Sequence, residues 1–157
     1  KQRIGWTEGM PPVLQQRLIA EGARIVAGLP DTPRALAADE AIDNRDRHLG
    51  NILWDGFNVS WIDHDRALGV VPAADANRLA QFAVMGTADF APIQRAALAI
   101  ALILGPQAVA TAETECEGLT VAAFAQLVSS RLGPLATRVL NRFPQPSDLF
   151  SQIPPRQ

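Results

Sequence analysis

The sequence Asn44-Arg-Asp-Arg-His-Leu-Gly-Asn51 is followed by the apolar run Ile52-Leu-Trp54, the dipeptide Asp55-Gly56 and the β-rich run Val59-Ser-Trp-Ile62. A helical pattern ends just before the first segment and a strand begins just after it, which predicts an irregular loop between them. Asp-Gly between two β-rich runs is a strong hairpin signal. The hairpin is therefore expected to bring Asp63 back beside the loop.

Three polar residues of this region are of the types that phosphoryl transfer requires. That reaction needs a carboxylate to orient the attacking hydroxyl, and an Asn and an Asp to hold Mg²⁺ against the phosphates. Asp46, Asn51 and Asp63 supply these types in that order. Asp46 or Asn51 taken alone is as well explained by turn capping, whereas the loop, the hairpin and Asp63 together favour a phosphoryl-transfer site.

The same residues resemble a known superfamily. Asp46-Arg-His-x-x-Asn51-Ile-Leu followed by Ile62-Asp63 is similar to the catalytic and metal-binding loops of the protein-kinase-like fold, in the variant shared by HipA-like serine/threonine kinases and phosphoinositide-type kinases. Asn44 favours the HipA-like branch, whose loop reads Asn-x-Asp-x-His-x-x-Asn. The likeness covers residues 43–66, and the sequence after Asp63 departs from the Phe-Gly of ordinary protein kinases.

This resemblance implies a role for each residue and a set of cofactors. Asp46 is expected to be the catalytic base, and His48 a second residue of the catalytic loop in a supporting role. Asn51 and Asp63 are expected to bind Mg²⁺ and, through it, ATP. The implied reaction is the phosphorylation of a Ser or Thr hydroxyl on a protein substrate.

Several parts of a complete kinase are not found in the sequence. Lys1 is the only lysine, and there is no Gly-x-Gly-x-x-Gly or Walker-type loop. The catalytic loop starts too near the beginning of the chain to leave room for a β-rich N-lobe. We therefore expect a kinase-like helical C-lobe at residues 1–143 and a proline-rich tail at 144–157. The N-lobe is missing from this sequence and would be supplied by a longer protein of which this chain is a piece, or by a protein partner.

Two other functions stay open at this point. A pseudokinase or an antitoxin-like binding module would keep the loop without the phosphate clamp. A metal-dependent phosphohydrolase would group Asp46, His48, Asp63, His64 and Asp65 around one or two metals. The hydrolase requires both histidines to converge, which is awkward because Asp63 and His64 point to opposite faces of a strand.

The rest of the chain predicts a mainly α-helical fold with one small β-hairpin. Helical periodicity and Pro or Gly breaks indicate helices at residues 11–28, 32–42, 74–85, 92–104, 120–132 and 135–143. The fourth is so rich in Ala, Leu and Ile that we expect it to be buried on most sides. Arg45 and Arg47 are expected to be solvated, and Trp54 and Trp61 to serve core or cross-strand packing.

Composition excludes some classes of protein. A chain of 157 residues fits one domain, and a net charge of −2 with 19% charged residues provides no basic stripe for direct nucleic-acid binding. The single cysteine, Cys116, cannot form an internal disulfide, which favours a reducing compartment. The apolar run 96–104 is about half of what a bilayer requires, and no secretion leader is recognisable, so we expect a cytoplasmic protein without membrane contact.

Overall fold

The computed structural model describes residues 9–70, 74–115 and 122–145. Within these ranges the chain forms seven α-helices and one two-stranded antiparallel sheet, which confirms the prediction of a mainly helical fold with one small hairpin. The elements in chain order are α1 (Pro12–Gly28), α2 (Thr32–Ala41), a 3₁₀ turn (Leu49–Asn51), β1 (Ile52–Trp54), β2 (Val59–Trp61), α3 (Arg78–Gly86), α4 (Ala91–Ile103), α5 (Pro106–Glu115), α6 (Ala122–Leu132) and α7 (Leu135–Asn141).

The predicted starts of α1, α2, α4 and α7 agree with the structure to within one residue, whereas α7 ends at Asn141 and not at residue 143. Helices α1, α2 and α4 each carry a proline in their first turn, where the missing N–H costs nothing. The predicted start of α3 is wrong by four residues. Asn77 caps this helix, since its Oδ1 accepts hydrogen bonds from the N–H groups of Leu79 (3.1 Å) and Ala80 (3.3 Å), so residues 74–77 precede the helix.

Helix α5 lies between the predicted helices 92–104 and 120–132, in a segment for which the sequence predicts no helix, and Pro106 does not mark a break there. It is instead the first residue of α5, a position that proline favours. The expectation that α4 is buried on most sides is also wrong. Its buried residues Ile93, Ala97 and Ala101 form one stripe with a spacing of four, while Leu102 and Ile103 are 70% and 81% exposed. The side chain of Cys116, the tail after residue 145 and Lys1 lie outside the described residues.

The core lies where α2, α3, α4 and α7 meet. Leu36, Leu79, Leu135 and Val139 are fully buried there, and burial of each such side chain stabilises the fold by roughly 1.5–3 kcal/mol. Helices α1 and α3 approach so closely that a Cβ on Gly86 would overlap the carbonyl group of Ala23. These contacts fix α2, whose C-terminal end leads directly into the predicted catalytic loop.

A buried ionic cluster holds this end of α2. The carboxylate of Glu40 accepts hydrogen bonds from Arg138 Nε at 2.8 Å and from Arg142 Nε and Nη2, each at 2.9 Å. Arg131 donates to the Glu40 carbonyl at 2.9 and 2.7 Å. Burial alone would raise the pKa of Glu40, but the hydrogen bonds and charges of the arginines outweigh it and lower this pKa. These hydrogen bonds connect α6 and α7 to the C-terminal end of α2, where the loop begins.

The hairpin has the predicted position and turn. Ile52 pairs with Trp61 and Trp54 with Val59, while the Asp55 carboxylate accepts hydrogen bonds from the two backbone N–H groups of residues 57 and 58. Trp61 packs against the core, as expected. Trp54 lies opposite Val59 rather than Trp61, so the two indoles are not cross-strand partners. Within the described parts of the chain, no helix has the length and apolar character needed to span a bilayer.

Candidate active site

The loop of residues 44–48 begins at a sharp change of backbone direction. Asp43 has a φ of +54°, a left-handed conformation that ends α2. Asn44 is buried, and its side chain donates to Asp39 Oδ1 at 3.0 Å while accepting from the N–H of Asp46 at 3.3 Å. The start of the loop is thus tied back to helix α2, which places Asp46 at a defined position.

Arg47 is the internal support of the site. It is only 1% exposed, and its guanidinium makes a two-point contact with the Asp39 carboxylate at 2.8 and 2.7 Å. The Nη1 atom donates to the carbonyls of Ile62 (2.7 Å) and Asn51 (3.3 Å). The Nη2 atom lies 2.7 Å from His64 Nε2, which must be the acceptor because a guanidinium has no acceptor atom. The side chain therefore joins both halves of the site.

The expectation that the two loop arginines are solvated is wrong. Arg47 also lies over the Trp61 ring, with its Cζ atom 6.0 Å from the ring centroid. Arg45 is partly buried and donates to both carboxylate oxygens of Asp43, at 2.9 and 3.0 Å. Nothing in the local sequence pattern distinguishes these arginines from surface ones, because their partners are set by how the loop folds back on α2.

Asn51 lies at the junction of the loop and β1 and is 4% exposed. Its Nδ2 donates to the carbonyl of Asp46 at 3.4 Å, and its own carbonyl accepts from the N–H of Ile62 at 3.0 Å. Among the residues that the structure describes, Oδ1 makes no hydrogen bond. Asn51 therefore contacts the backbone of Asp46, the predicted base, and the backbone of Ile62, the residue before Asp63. Its side-chain oxygen Oδ1 is available to a ligand.

His48 is exposed and supports the turn between the loop and the hairpin. Its Nδ1 accepts a hydrogen bond from the N–H of Gly50 at 3.1 Å, and its carbonyl accepts from the N–H of Asn51 at 2.9 Å. The neighbouring Leu49 side chain fits against Gly22 of α1, where a Cβ would collide with it. These contacts are of the kind that a supporting role requires.

Asp46 and Asp63 both reach solvent. The Oδ2 atom of Asp46 lies 3.3 Å from Arg66 Nη1. Asp63 has a φ of +63°, which is uncommon for a residue with a side chain and is often found at functional sites. A hydrogen bond to Asp65 and the charge of that residue raise the pKa of Asp63, while the positive charges of His48 and Arg66 oppose this shift. The charge of Asp65 therefore has more influence on Asp63 than the charges of His48 and Arg66 have.

Asn51, Asp63 and Asp46 carry amide and carboxylate oxygens, the atom types that Mg²⁺ prefers as ligands. Asn51 connects the three positions along the backbone, through the carbonyl of Asp46 and the N–H of Ile62, the residue before Asp63. Across residues 9–70, 74–115 and 122–145, no three His, Cys, Asp or Glu side chains are grouped closely enough to hold a metal. The contact between His64 and Arg47 occupies the Nε2 atom, one of the two ring nitrogens of this histidine.

The chain matches no protein-family model, no curated protein and no solved structure. Its function is therefore inferred from the geometry of residues 43–66.

Proposed function

We propose that this chain is the C-lobe of a HipA-like kinase, which uses ATP and Mg²⁺ to phosphorylate a Ser or Thr hydroxyl of a protein in the cytoplasm. The observation that carries the proposal is the position of Asn51. Its side chain donates to the Asp46 carbonyl at 3.4 Å, and its backbone carbonyl accepts from Ile62, the residue before Asp63. The side chain and the backbone of Asn51 thus connect the chain at Asp46 to the chain at the residue before Asp63.

Each residue has a separate task in the proposed reaction. Asn51 Oδ1 and the Asp63 carboxylate would hold Mg²⁺, which would neutralise charge on the nucleotide phosphates. Asp46 accepts or orients the proton of the attacking hydroxyl. The hydroxyl oxygen forms a bond to the γ-phosphorus as the bond to the β-phosphate oxygen breaks, so that ADP leaves.

Buried groups keep these side chains in position. Arg47 bonds the backbone on either side of the site, at Asn51 and Ile62, and is itself held by Asp39. Rigid support of this kind holds the ligand atoms of the site in a fixed geometry, so that a small number of them can suffice. The adenine-binding surface and further phosphate donors would come from an N-lobe, either covalently attached or supplied by a protein partner.

Nucleotide binding to this chain tests the proposal. ATP should bind weakly and only with Mg²⁺, because the site offers metal ligands but few groups that contact the nucleotide directly. Asp63→Asn should abolish the Mg²⁺-dependent binding measured by titration calorimetry, whereas Asp46→Asn should retain it. Tight ATP binding without metal, or undiminished binding by Asp63→Asn, would contradict the proposal. ATP binding without transfer in the presence of an N-lobe partner would instead favour a pseudokinase.

A further inference from the structure

Three arginines lie around the candidate site, and they differ in how they are held. Arg47 is buried and fully occupied by Asp39 and by backbone carbonyls. Arg45 is partly buried in a two-point pair with Asp43. The side chain of Arg66 is 58% exposed and pairs with Asp46 Oδ2 at 3.3 Å. Arg66 is therefore the arginine that can change partner without disturbing the core.

Arg66 is close to both acidic residues of the proposed mechanism. It forms an ion pair with Asp46, and its positive charge also acts on Asp63, where the larger influence is that of Asp65. The guanidinium thus contacts the proposed base, and it belongs to a residue three positions after the proposed metal ligand. In phosphoryl transfer that region receives the transferred group, because the phosphorus lies between the attacking hydroxyl and the metal-bound oxygens.

The chemistry of an arginine suits this position. A guanidinium presents several N–H donors in a planar fork that matches phosphate oxygens. The only lysine in the sequence is Lys1, so an arginine is the available cation within the catalytic region. An exposed ion pair contributes little to stability, and the pair with Asp46 is therefore readily exchanged for a phosphate.

We propose that Arg66 is a phosphate-binding residue of this site. Its guanidinium pairs with Asp46 while the site is empty, and it pairs with a phosphoryl group when a Mg²⁺-bound polyphosphate binds. This inference rests on the proposed kinase function. It assigns two roles to one contact, since the arginine covers the base in the empty site and releases it when phosphate binds. The carboxylates of Asp46, Asp63 and Asp65 repel a polyphosphate, so binding requires Mg²⁺ as well as Arg66.

Binding of inorganic tripolyphosphate to the 157-residue chain tests the role of Arg66. This probe has no adenine and therefore does not depend on an N-lobe. With Mg²⁺ present, Arg66→Gln should weaken binding by about tenfold or more, the usual loss for a charge-assisted hydrogen bond. Arg66→Lys should recover part of the affinity because it keeps the charge. Arg34→Gln is the matched control, since Arg34 is also an exposed arginine paired with an aspartate, 3.7 Å from Asp31.

A second measurement separates failure of this inference from failure of the proposed function. Mn²⁺ binding, followed by water-proton relaxation, reports the metal site without phosphate. Suppose that Mn²⁺ binds through Asp63. If tripolyphosphate then binds Arg66→Gln as tightly as the wild type, or does not bind even the wild type, the role of Arg66 is refuted and the metal site stands. If Asp63→Asn leaves Mn²⁺ binding unchanged, the proposed function itself is refuted. Equal losses in Arg34→Gln and Arg66→Gln would show a general charge effect and would also refute the role.

Discussion

The guanidinium of Arg47 and the carboxylate of Asp39 form a two-point contact at 2.8 and 2.7 Å with both side chains almost fully buried. Asp39 belongs to helix α2, and Arg47 belongs to the predicted catalytic loop eight residues later. The same guanidinium donates to the carbonyls of Asn51 and Ile62. A single ion pair therefore connects the helical core to both sides of the candidate site.

Replacement of Arg47 should strongly destabilise the protein. Arg47→Met leaves the Asp39 carboxylate buried without its cation, which costs about 3–5 kcal/mol of unfolding free energy, measured by urea denaturation. The double variant Asp39→Asn/Arg47→Met should recover part of this loss, because no buried charge remains and the amide oxygen introduced at position 39 can still accept from Asn44. A double variant less stable than Arg47→Met would show that the ion pair is not the source of the loss.

The Glu40 cluster should make the free energy of unfolding depend on pH in the acid range. The pKa of Glu40 is lowered by its arginines, despite burial, relative to its ordinary value of 4.5. Its contribution to stability is therefore fully present above that value and is lost as the pH falls through the lower, folded-state pKa. Glu40→Gln should cost about 3 kcal/mol at pH 7 and should flatten the dependence of unfolding free energy on pH in the acid range. An unchanged acid dependence would contradict this role.

Metal binding should lose strength at a pH set by the pair of Asp63 and Asp65. Because the hydrogen bond and charge of Asp65 raise the pKa of Asp63, Asp63 takes up a proton at a higher pH than an ordinary aspartate and then cannot bind a cation. Asp65→Asn removes the like charge, so the pH midpoint of Mn²⁺ binding should move downward. Asp89→Asn, at an exposed position beyond α3, is the control and should leave the midpoint unchanged.

Loss of the proposed base should affect the rate and not the binding of nucleotide. When a partner supplies the N-lobe, Asp46→Asn should reduce single-turnover phosphoryl transfer by roughly 10²–10⁴-fold while ATP affinity is kept. His48→Ala should act mainly through stability, since His48 accepts a hydrogen bond from Gly50 within the turn. Transfer at the wild-type rate by Asp46→Asn, or a rate abolished by His48→Ala with stability intact, would reassign the two roles.

Local signals in the sequence explain which parts of this structure could be predicted. The Asp55-Gly56 turn fixes the hairpin and its register, so the return of the chain to Asp63 follows from a pattern of adjacent residues. The burial of Arg47 could not be predicted, because its contact with Asp39 forms only when the loop folds back against helix α2. The exposure of Ile103 was missed for a related reason, since burial depends on which elements pack against α4 and not on how apolar the helix is.

The most direct test of the central claim is to locate a bound divalent cation on the chain. Mn²⁺ broadens the NMR signals of nuclei near it, and it binds the same oxygen ligands as Mg²⁺. We expect the amide signals of Asn51 and Asp63 to broaden first at low Mn²⁺ concentration, with competition by Mg²⁺, and the effect to disappear in Asp63→Asn. Broadening centred elsewhere, or retained in Asp63→Asn, would contradict the assignment of this loop and hairpin as a phosphoryl-transfer site.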